Sequence, residues 1–353
     1  IAVLSAMRES SGYHISVKGG RFMEAVANAD TVVFDKTGTL TYATPTVAKV
    51  VSFDGYSASE MLRLAACLEE HYPHSIANAV VAEAKRLGLD HKEYHSQVEY
   101  VVAHGISSTV EDKKVIIGSA HFVFEDEGCV VPEAEQEKFN ALPEEYSHLY
   151  LCIAGRLAAV ICISDPLRKE AKDAIQALHA CGISKVVMMT GDSRRTAEAV
   201  AREVGVDQFY AEVLPEDKAN FVRQEKAAGR KVIMIGDGVN DTPALSEADV
   251  GIAINTGAAI AREIADVTIA SEDLFELVTL RKISQALMSR IQRNYRFIVG
   301  FNLMLIVLGV TGVIQPTTSA LLHNASTLGI SLDSMTDLLD KDKEKALPET
   351  ESA

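Results

Sequence analysis

The feature that most constrains this chain is a short apolar run that ends in an acidic residue and a glycine turn. Residues 31–34 read TVVF, and residues 35–41 read DKTGTLT. Four β-branched or aromatic residues before a turn rich in Thr and Gly predict a buried parallel strand that ends in a loop. Asp35 then lies at the carboxyl end of that strand, which is the edge where open α/β sheets bind their ligands.

A carboxylate in this position can act as a nucleophile toward phosphorus. Attack by Asp35 on a phosphoryl group would form an aspartyl-phosphate and divide one difficult transfer into two easier steps. Gly38 allows the backbone to approach the phosphate closely, and the hydroxyls of Thr37 and Thr39 can donate to its oxygens. The simpler interpretation is an Asp that only ends a strand. It would suit an isolated Asp-Lys-Thr sequence, but the motifs that follow along the chain favour the nucleophile.

The heptad DKTGTLT resembles the phosphorylation motif of the P-type cation-transporting ATPases, which are members of the haloacid dehalogenase-like group. Soluble phosphatases of that group carry a second Asp two residues after the nucleophile, as acid and base. This chain has Thr37 at that position. The resemblance therefore implies an acyl-phosphate on Asp35 that persists, as an energy-coupling intermediate must.

Length and composition exclude several other functions. The 353 residues suffice for two or three domains with real cores. With 34 basic and 49 acidic residues the net charge is −15, which gives no electrostatic footprint for nucleic acid. The five cysteines include no C-x-x-C pair, so they predict buried thiols in a reducing cytosol rather than a disulfide framework. The chain begins with Ile1 and lacks the Thr-Gly-Glu actuator loop of such pumps, so we interpret it as a fragment.

The predicted fold is α/β. It is a haloacid dehalogenase-like doubly wound parallel sheet with an inserted α+β nucleotide-binding domain and a C-terminal transmembrane helical hairpin. In the inserted domain the pattern predicts a helix at residues 59–68, with Ser59 as its N-cap, and a strand at residues 98–102. The sheet of the first domain is predicted to resume with a strand at residues 157–163. The predicted boundaries are 1–20 (end of a membrane helix and connector), 21–45 and 159–272 (phosphorylation domain), 46–158 (nucleotide-binding domain), 273–336 (last two membrane helices) and 337–353 (charged tail).

The inserted domain carries candidate nucleotide-binding residues. The resemblance to the heavy-metal branch of the family aligns His74 with the His beside adenine and Glu69 with the adenine-side Glu. Ser75 stands where that branch has Pro. Gly105 keeps the second glycine of the family's Gly-x-Gly turn, and Ala103 replaces the first. These two departures leave the affinity for ATP open, and a surface His at a helix N-terminus is the alternative for His74.

Three further loops carry candidate site residues. Asp165 and Arg168, which are further candidates for cofactor binding, belong to a run that resembles the family's Asp-Pro-x-Arg at the junction with the nucleotide domain. Lys218, on the first turn of a helix, can neutralise charge on a transferring phosphoryl group, although a solvated helix lysine is the alternative. The third loop, where a hydroxyl and backbone N–H groups can hold a phosphate oxygen at a helix N-terminus, contains Thr190, Gly191 and Asp192.

A second specific motif, GDGVNDTP, follows a later strand. Its carboxylates Asp237 and Asp241, four residues apart beside Asp35, form a hard oxygen site suited to Mg²⁺. By resemblance, Asp237 binds the ion directly, together with Asp35 and the backbone carbonyl of Thr37. The resemblance also implies that Asn240 and Asp241 orient the phosphoryl group and the ligand shell.

The C-terminal part differs in kind. Residues 297–314 are mostly apolar and long enough to span a membrane, and the basic residues before them indicate a cytosolic side. A buried core helix is the alternative. Residues 317–332 resemble the last membrane helix of heavy-metal pumps but contain polar groups, which at membrane depth are functional by default. The candidate ligands of a transported ion are His323, Asn324, Ser326 and Asp333. They favour a divalent ion such as Zn²⁺ or Mn²⁺ over Cu⁺.

The sequence as a whole predicts ATP-driven transport of a heavy-metal cation through an aspartyl-phosphate at Asp35. The expected cofactors are ATP and Mg²⁺. The expected partners are ATP, a divalent or transition-metal ion and membrane lipid, with no nucleic acid, and the protein is expected to be monomeric. We expect a multi-pass protein of a bacterial cell membrane with cytosolic catalytic domains. The alternatives are a soluble haloacid dehalogenase-like phosphatase and a non-catalytic remnant of a pump.

Overall fold

The structure, a computed structural model, describes residues 1–42, 44–71, 75–89, 95–101, 105–144, 146–236, 241–254, 263–270 and 273–339. The strands, in chain order, are β1 Ile15–Val17, β2 Thr31–Asp35, β3 Thr46–Ser52, β4 His95–Val101, β5 Gly105–Val110, β6 Lys113–Gly118, β7 Ser147–Ile153, β8 Arg156–Ser164, β9 Lys185–Met189, β10 Gln208–Tyr210, β11 Val232–Gly236, β12 Val250–Ile254 and β13 Val267–Ile269. The main helices are α1 Ala2–Gly12, α2 Gly20–Asn28, α3 Ala58–Glu69, α4 Ser75–Arg86, α5 Gln136–Asn140, α6 Ala171–Ala180, α7 Arg194–Val204, α8 Pro215–Ala227, α9 Thr242–Glu247, α10 Phe275–Val310 and α11 Pro316–Asp333.

The first sheet has seven strands in the order β1-β13-β12-β11-β2-β9-β10. All neighbouring pairs are parallel except β1 with β13. From β2 the chain builds β9 and β10 on one side, then crosses over and builds β11, β12 and β13 on the other. The order therefore reverses between β2 and β11, and the crevice beyond their carboxyl ends is where such sheets bind ligands. The predicted doubly wound sheet is confirmed.

The alternation of residues along β2 explains why helices cover both faces of this sheet. Val32 and Phe34 point into one core, which α2, α6, α7 and the first part of α10 complete. Val33 points into the opposite core, which is closed by α8 and α9. All five residues of β2 are buried, as expected for a central strand between two helical layers. This burial holds the end of β2, and with it Asp35, in a fixed position.

The N-terminal segment differs from its predicted role as a connector. Ile15 and Val17 are buried, and β1 pairs antiparallel with β13 at the edge of the first sheet. Residues 15–17 thus belong to the sheet itself. The prediction failed because three residues between polar neighbours carry too little periodic signal to indicate a strand.

The second sheet has six antiparallel strands in the order β3-β8-β7-β6-β5-β4. Helices α3 and α4 cover one face, and a cluster that contains Phe53, Phe122 and Leu142 covers the other. The prediction that residues 157–163 resume the first sheet was wrong, because β8 pairs with β3 and β7. The boundary predicted between residues 158 and 159 therefore cuts a strand of the second sheet. A buried apolar run looks the same in either sheet, so its sequence could not decide the partner.

Within the second sheet the predicted elements are present, with shifted ends. Helix α3 begins one residue before the predicted start, and its N-cap is Ser57 rather than Ser59. The Ser57 hydroxyl accepts the backbone N–H of Glu60. The strand predicted at residues 98–102 begins three residues earlier as β4. Caps and strand ends depend on local hydrogen bonds, which explains shifts of this size.

Helix α10 joins the first sheet to the exposed C-terminal part. Its first turns lie in the core of the first sheet, where Leu277, Leu280, Ile283 and Leu287 are buried. The guanidinium of Arg281 donates to the carbonyl of Val26 at the end of α2 and to that of Cys181 just after α6. The first part of α10 is thus fixed to α2 and to the end of α6, two helices that pack against the first sheet.

The second part of α10 leaves the core and exposes its apolar side chains. Among the described residues, Phe275–Val310 is the one helix long and apolar enough to cross a membrane, with a mean hydropathy of 1.2 over its best window. Only 6% of that window is buried, whereas a core helix would be mostly covered. Helix α11 has the position predicted for a second membrane helix, but it does not meet the combined requirement of length and hydropathy that α10 meets.

Candidate active site

The site forms at the carboxyl ends of β2 and β11, around one buried ammonium group. Asp35 is the last residue of β2 and is buried. The Lys218 Nζ donates to the Oδ1 of Asp35 at 2.6 Å and to the Oδ1 of Asp241 at 2.7 Å. The structure thus brings together three of the side chains that the sequence singled out.

Local sequence explains why Lys218 points at Asp35. Pro215 is the first residue of α8, where its missing N–H costs nothing. The Asp217 carboxylate accepts the backbone N–H of Leu214, which fixes the start of the helix. Lys218 follows on the first turn and is only 6% exposed. The alternative of a solvated helix lysine does not agree with this burial.

The charge state of Lys218 follows from two opposing effects. Burial lowers its pKa, but the carboxylates of Asp35 and Asp241 act in the other direction and together raise it above the usual value. Lys218 is therefore a permanent cation at neutral pH. One ammonium faces two carboxylates, so this part of the site keeps a net negative charge.

Lys36, the residue after Asp35, lies in a second group of charges. Its Nζ is 2.5 Å from the Oδ2 of Asp192 and 3.9 Å from the Oδ2 of Asp165. It also donates to the Oγ of Ser147 at 3.2 Å. Burial lowers the pKa of Lys36, yet Asp192, Asp165 and Asp35 together raise it above the ordinary value. The pKa of Asp192 is lowered by Lys36 against the effect of burial.

The loop that carries the motif is held by its own backbone and by Arg168. Gly38 has φ +73°, a left-handed conformation that favours glycine. Its N–H donates to the Oγ1 of Thr41 at 2.9 Å. The guanidinium Nε of Arg168 donates to the carbonyl of Thr39 at 2.8 Å, and the Arg168 N–H donates to the carbonyl of Leu40. Arg168 is a predicted cofactor-binding residue, and in the structure it lies against the loop of residues 36–41.

Thr190, Gly191 and Asp192 form the turn predicted beside the nucleophile. Asp35 pairs with Met189 in the parallel register of β2 and β9, so this turn begins next to Asp35 at the same edge. Thr190 is buried, and its Oγ1 accepts the N–H of Asp192 at 3.1 Å. Helix α7 begins directly afterwards, with Ser193 as its N-cap. The arrangement matches a phosphate-binding turn at a helix N-terminus.

Part of the predicted magnesium and nucleotide sites lies outside the described residues. These residues are Asp237, Asn240, His74 and Ala103. Asp241 is described, and Gly236 lies so close to it that an added Cβ would stand 2.5 Å from the Oδ2 of Asp241. A glycine at position 236 is therefore required for Asp241 to reach Lys218.

Two predicted nucleotide-site residues are described. Glu69 lies at the end of α3, is 2% exposed, and burial raises the pKa of its carboxyl to about 7. Gly105 begins β5 and pairs with Gly118. A Cβ at Gly105 would overlap the carbonyl of Ile117 and approach the ring of Phe122 to 2.6 Å. Strand packing alone accounts for this glycine.

The residues predicted to bind a transported ion are not brought together. The Nδ1 of His323 lies 2.9 Å from the Oδ1 of Asn302, and Ser326 donates to the carbonyl of His323. Asp333 forms an ion pair with Arg293 at 2.7 Å. Across the described ranges no group of three or more His, Cys, Asp or Glu side chains could hold a metal ion. Asn324 is exposed on α11.

Comparison with known proteins agrees with this geometry. A family model described as haloacid dehalogenase-like hydrolase matches residues 29–249. The chain belongs to this family. The matched range contains Asp35, Lys218 and Asp241, so the members of the site described above all lie within it.

Within the haloacid dehalogenase-like hydrolases, the homologues of this chain are heavy-metal P-type ATPases, as the resemblance predicted. "Copper-transporting ATPase 2" of Rhizobium meliloti (strain 1021) is 40% identical over 87% of this chain and 37% of its own length. "Zinc-exporting P-type ATPase" of Mycobacterium marinum is 33% identical over 94% of this chain and 46% of its own length. The chain therefore spans less than half the length of these relatives.

Two solved structures delimit the similarity. A zinc-transporting PIB-type ATPase in an E2·Pi state matches with a TM-score of 0.68 and 30% identity, over 95% of this chain and 54% of that one. The catalytic domain of the CPx-ATPase CopB-B matches with a TM-score of 0.63 and 29% identity, over 79% of this chain and 98% of that one. Nearly all of an isolated catalytic domain thus corresponds to most of this chain.

Sequence reasoning missed Ser147 and the role of Lys36. Lys36 was seen only as part of the motif, and Ser147 carries no local signal. Its importance arises from the approach of the second sheet to the nucleophile loop.

Proposed function

We propose that this chain carries the phosphorylation chemistry of an ATP-driven pump for a transition-metal cation, with Asp35 as the phosphorylated residue. The observation that carries the proposal is the buried contact of Asp35 with Lys218 at the switch point of the sheet. Thr37 supports a pump over a soluble phosphatase, because it leaves no second Asp two residues after the nucleophile.

The proposed reaction transfers the γ-phosphoryl group of ATP to the Asp35 carboxylate. The Oδ2 of Asp35 attacks the γ-phosphorus while Lys218 holds Oδ1. The bond from the γ-phosphorus to the β–γ bridging oxygen breaks, and its electron pair leaves with ADP, so no proton transfer is needed. Lys218 neutralises charge on the transferring group, and Thr190 and Gly191 hold its oxygens.

The donor set fits Mg²⁺. Among the described residues, the carboxylates of Asp35 and Asp241 both contact the ammonium of Lys218. Two negative charges therefore face one positive charge at the point where an anionic phosphoryl group must bind. Hard oxygen donors with excess negative charge are the environment that Mg²⁺ prefers. The residues that would hold it are Asp35, Asp237 and the backbone carbonyl of Thr37. When bound, the ion would neutralise phosphate charge.

ATP is proposed to bind in the second sheet's domain, near Glu69 and His74. Glu69 supports this because burial raises the pKa of its carboxyl to about 7. At neutral pH the carboxyl is therefore protonated in part of the molecules, and it can donate as well as accept a hydrogen bond. Asp165 and Arg168 contribute indirectly, through Lys36 and the nucleophile loop.

The membrane location and the cargo rest on α10 and on the relatives. Helix α10 continues from the catalytic core into an exposed apolar half, which we propose to lie in a membrane with the two sheets on the cytosolic side. The relatives' names include copper, zinc and manganese, so we propose a transition-metal cation as cargo. A preference for a divalent ion remains a prediction, which rests on the polar residues of α11.

The proposal is tested by phosphoenzyme formation on the full chain in detergent. Labelled ATP with Mg²⁺ should give protein-bound label that is stable in acid and released by hydroxylamine. The Asp35→Asn variant should remain folded and carry no label, since an amide cannot form an acyl-phosphate. Retained labelling in the variant would refute the assignment of the nucleophile, and an unlabelled wild-type chain that binds ATP would favour the non-catalytic remnant.

A further inference from the structure

The two sheets meet at the ammonium group of Lys36. This residue follows Asp35 directly, and its Nζ contacts three elements. Asp192 lies in the turn after β9, and Asp165 directly follows β8. Ser147 is the first residue of β7, in the middle of the second sheet. Lys36 therefore connects the end of β2 with the base of the second sheet.

Ser147 contacts Lys36 directly. Its Oγ accepts a hydrogen bond from the Nζ of Lys36. Burial raises the pKa of the neighbouring Asp192 carboxyl, and Lys36 together with the Ser147 hydroxyl lowers it. Ser147 pairs with Ile163 in the register of β7 and β8, so it lies next to the connection that leaves the sheet at Asp165. A hydroxyl of the second sheet therefore lies beside the buried ion pair of Lys36 with Asp192.

Burial makes these interactions strong. Lys36 is 3% exposed and Ser147 is 8% exposed. Charged hydrogen bonds are stronger in a site closed to water, and the same closure makes an unpaired partner costly. By contrast, Arg195 and Glu144, which form an ion pair between the two parts at 2.6 Å, have side chains that are 44% and 55% exposed. Exposed pairs of this kind fix geometry weakly.

We propose that Lys36 is a positioning residue that fixes the second sheet relative to Asp35 through the hydroxyl of Ser147. The proposal rests on the function proposed above, in which the second sheet's domain holds the nucleotide. Because Lys36 and Asp35 are adjacent, any shift of the second sheet against Lys36 changes where the γ-phosphoryl group meets the Asp35 carboxylate. Misplacement of reacting groups by about 1 Å can cost a phosphoryl transfer roughly a hundredfold in rate.

The proposal predicts a dependence on the phosphoryl donor. ATP must be delivered by the second sheet's domain, whereas acetyl phosphate is small enough to reach Asp35 without that domain. With acetyl phosphate the same Asp35 oxygen attacks phosphorus, and acetate leaves with the electron pair of the broken bond. Loss of the Ser147 hydroxyl should therefore slow transfer from ATP and spare transfer from acetyl phosphate.

The experiment measures initial rates of labelling of the full chain from labelled ATP and from labelled acetyl phosphate, with Mg²⁺. Ser147→Ala should lower the ratio of the ATP rate to the acetyl phosphate rate by about fivefold or more, as expected for a lost hydrogen bond to a charged group. Ser147→Thr keeps the hydroxyl and should restore the ratio. Ser107→Ala, a half-buried serine of β5 in the same sheet, is the matched control and should leave the ratio unchanged.

Each outcome separates the two proposals. A wild-type chain that accepts label from neither donor overturns the proposed function. A wild-type chain that is labelled, with an unchanged donor ratio in Ser147→Ala, overturns the role of Lys36 and Ser147 and leaves the function standing. Equal loss with both donors also overturns it, because a general disturbance of the fold would act on both.

Discussion

Removal of the Lys218 charge gives the sharpest test of the site's electrostatics. In Lys218→Met the carboxylates of Asp35 and Asp241 lose the ammonium that each contacts within 2.7 Å. In the wild type the ammonium offsets the repulsion between these two carboxylates, and in the variant nothing does. At a separation of roughly 5 Å that repulsion is about 3 kcal/mol at an effective dielectric constant of about 20. We therefore expect the variant to unfold with a free energy about 3 kcal/mol lower than that of the wild type at pH 8.

The pH dependence of this prediction follows from the pKa of Lys218. Burial lowers that pKa, but the two carboxylate partners raise it above the ordinary value. A group whose folded pKa is raised stabilises the fold fully below its unfolded pKa and loses that contribution only as the pH rises through the folded pKa. The difference between Lys218→Met and the wild type should therefore be the same at pH 6 and at pH 8, both well below the ordinary pKa of a lysine.

The assay is denaturant unfolding of the full chain, followed by circular dichroism at both pH values. Lys172→Met is the control, since Lys172 is exposed on α6, and it should change the unfolding free energy by less than about 0.5 kcal/mol. This explanation would be ruled out by a difference for Lys218→Met that is as small as in the control, or by one that changes by more than about 1 kcal/mol between pH 6 and pH 8.

Three further predictions follow from buried groups. Arg168→Ala should lower the labelling rate and destabilise the fold by about 2–3 kcal/mol, because the Thr39 carbonyl loses a buried charged hydrogen bond; limited proteolysis should show earlier cleavage of the nucleophile loop. Glu69→Gln should be about 3 kcal/mol more stable than the wild type at pH 9 and equal to it at pH 4. The reason is that a carboxyl with a raised folded pKa stabilises the fold only while it is protonated. Unfolding free energies measured across this pH range check the prediction, and a difference between variant and wild type that does not change with pH would contradict it. Gly105→Ala should destabilise the second sheet by at least about 2 kcal/mol, whereas Gly12→Ala, with open space around its Cβ, should be nearly neutral in thermal unfolding.

Local sequence sufficed to predict the nucleophile strand and its partners. Local sequence determines the backbone conformation at three places: the apolar run before Asp35, the proline before Lys218 and the turn around Thr190. Once each lies at the end of a parallel strand or the start of a helix, the sheet brings them to one edge without further information. The contact of Lys218 with Asp35 follows from this topology.

Features that depend on contacts between distant segments could not be predicted. Arg168 lies 129 residues from Thr39 along the chain, and Ser147 lies 111 residues from Lys36. Nothing in either local sequence indicates the other. The same limit explains the wrong assignment of β8. The sequence of an apolar strand indicates that the strand is buried, but it does not indicate the sheet to which the strand belongs.

The predicted metal ligands of α11 show a different limit. His323 and Asp333 are ten residues apart, which is about 15 Å along a helix, so one helix alone cannot direct both to one ion. Their described contacts are Asn302 and Arg293, respectively, which are both on α10. Polarity in an apolar segment indicated a special role, but spacing along one helix could not indicate a shared site.

The phosphorylated residue can be identified chemically. The full chain is labelled with ATP and Mg²⁺ and reduced with borohydride, and the modified residue is mapped by mass spectrometry. Reduction converts an aspartyl-phosphate into homoserine, so we expect homoserine at position 35 in the labelled chain and none without ATP. Homoserine at another aspartate, with Asp35 unmodified, would show that Asp35 is not the residue that receives the phosphoryl group.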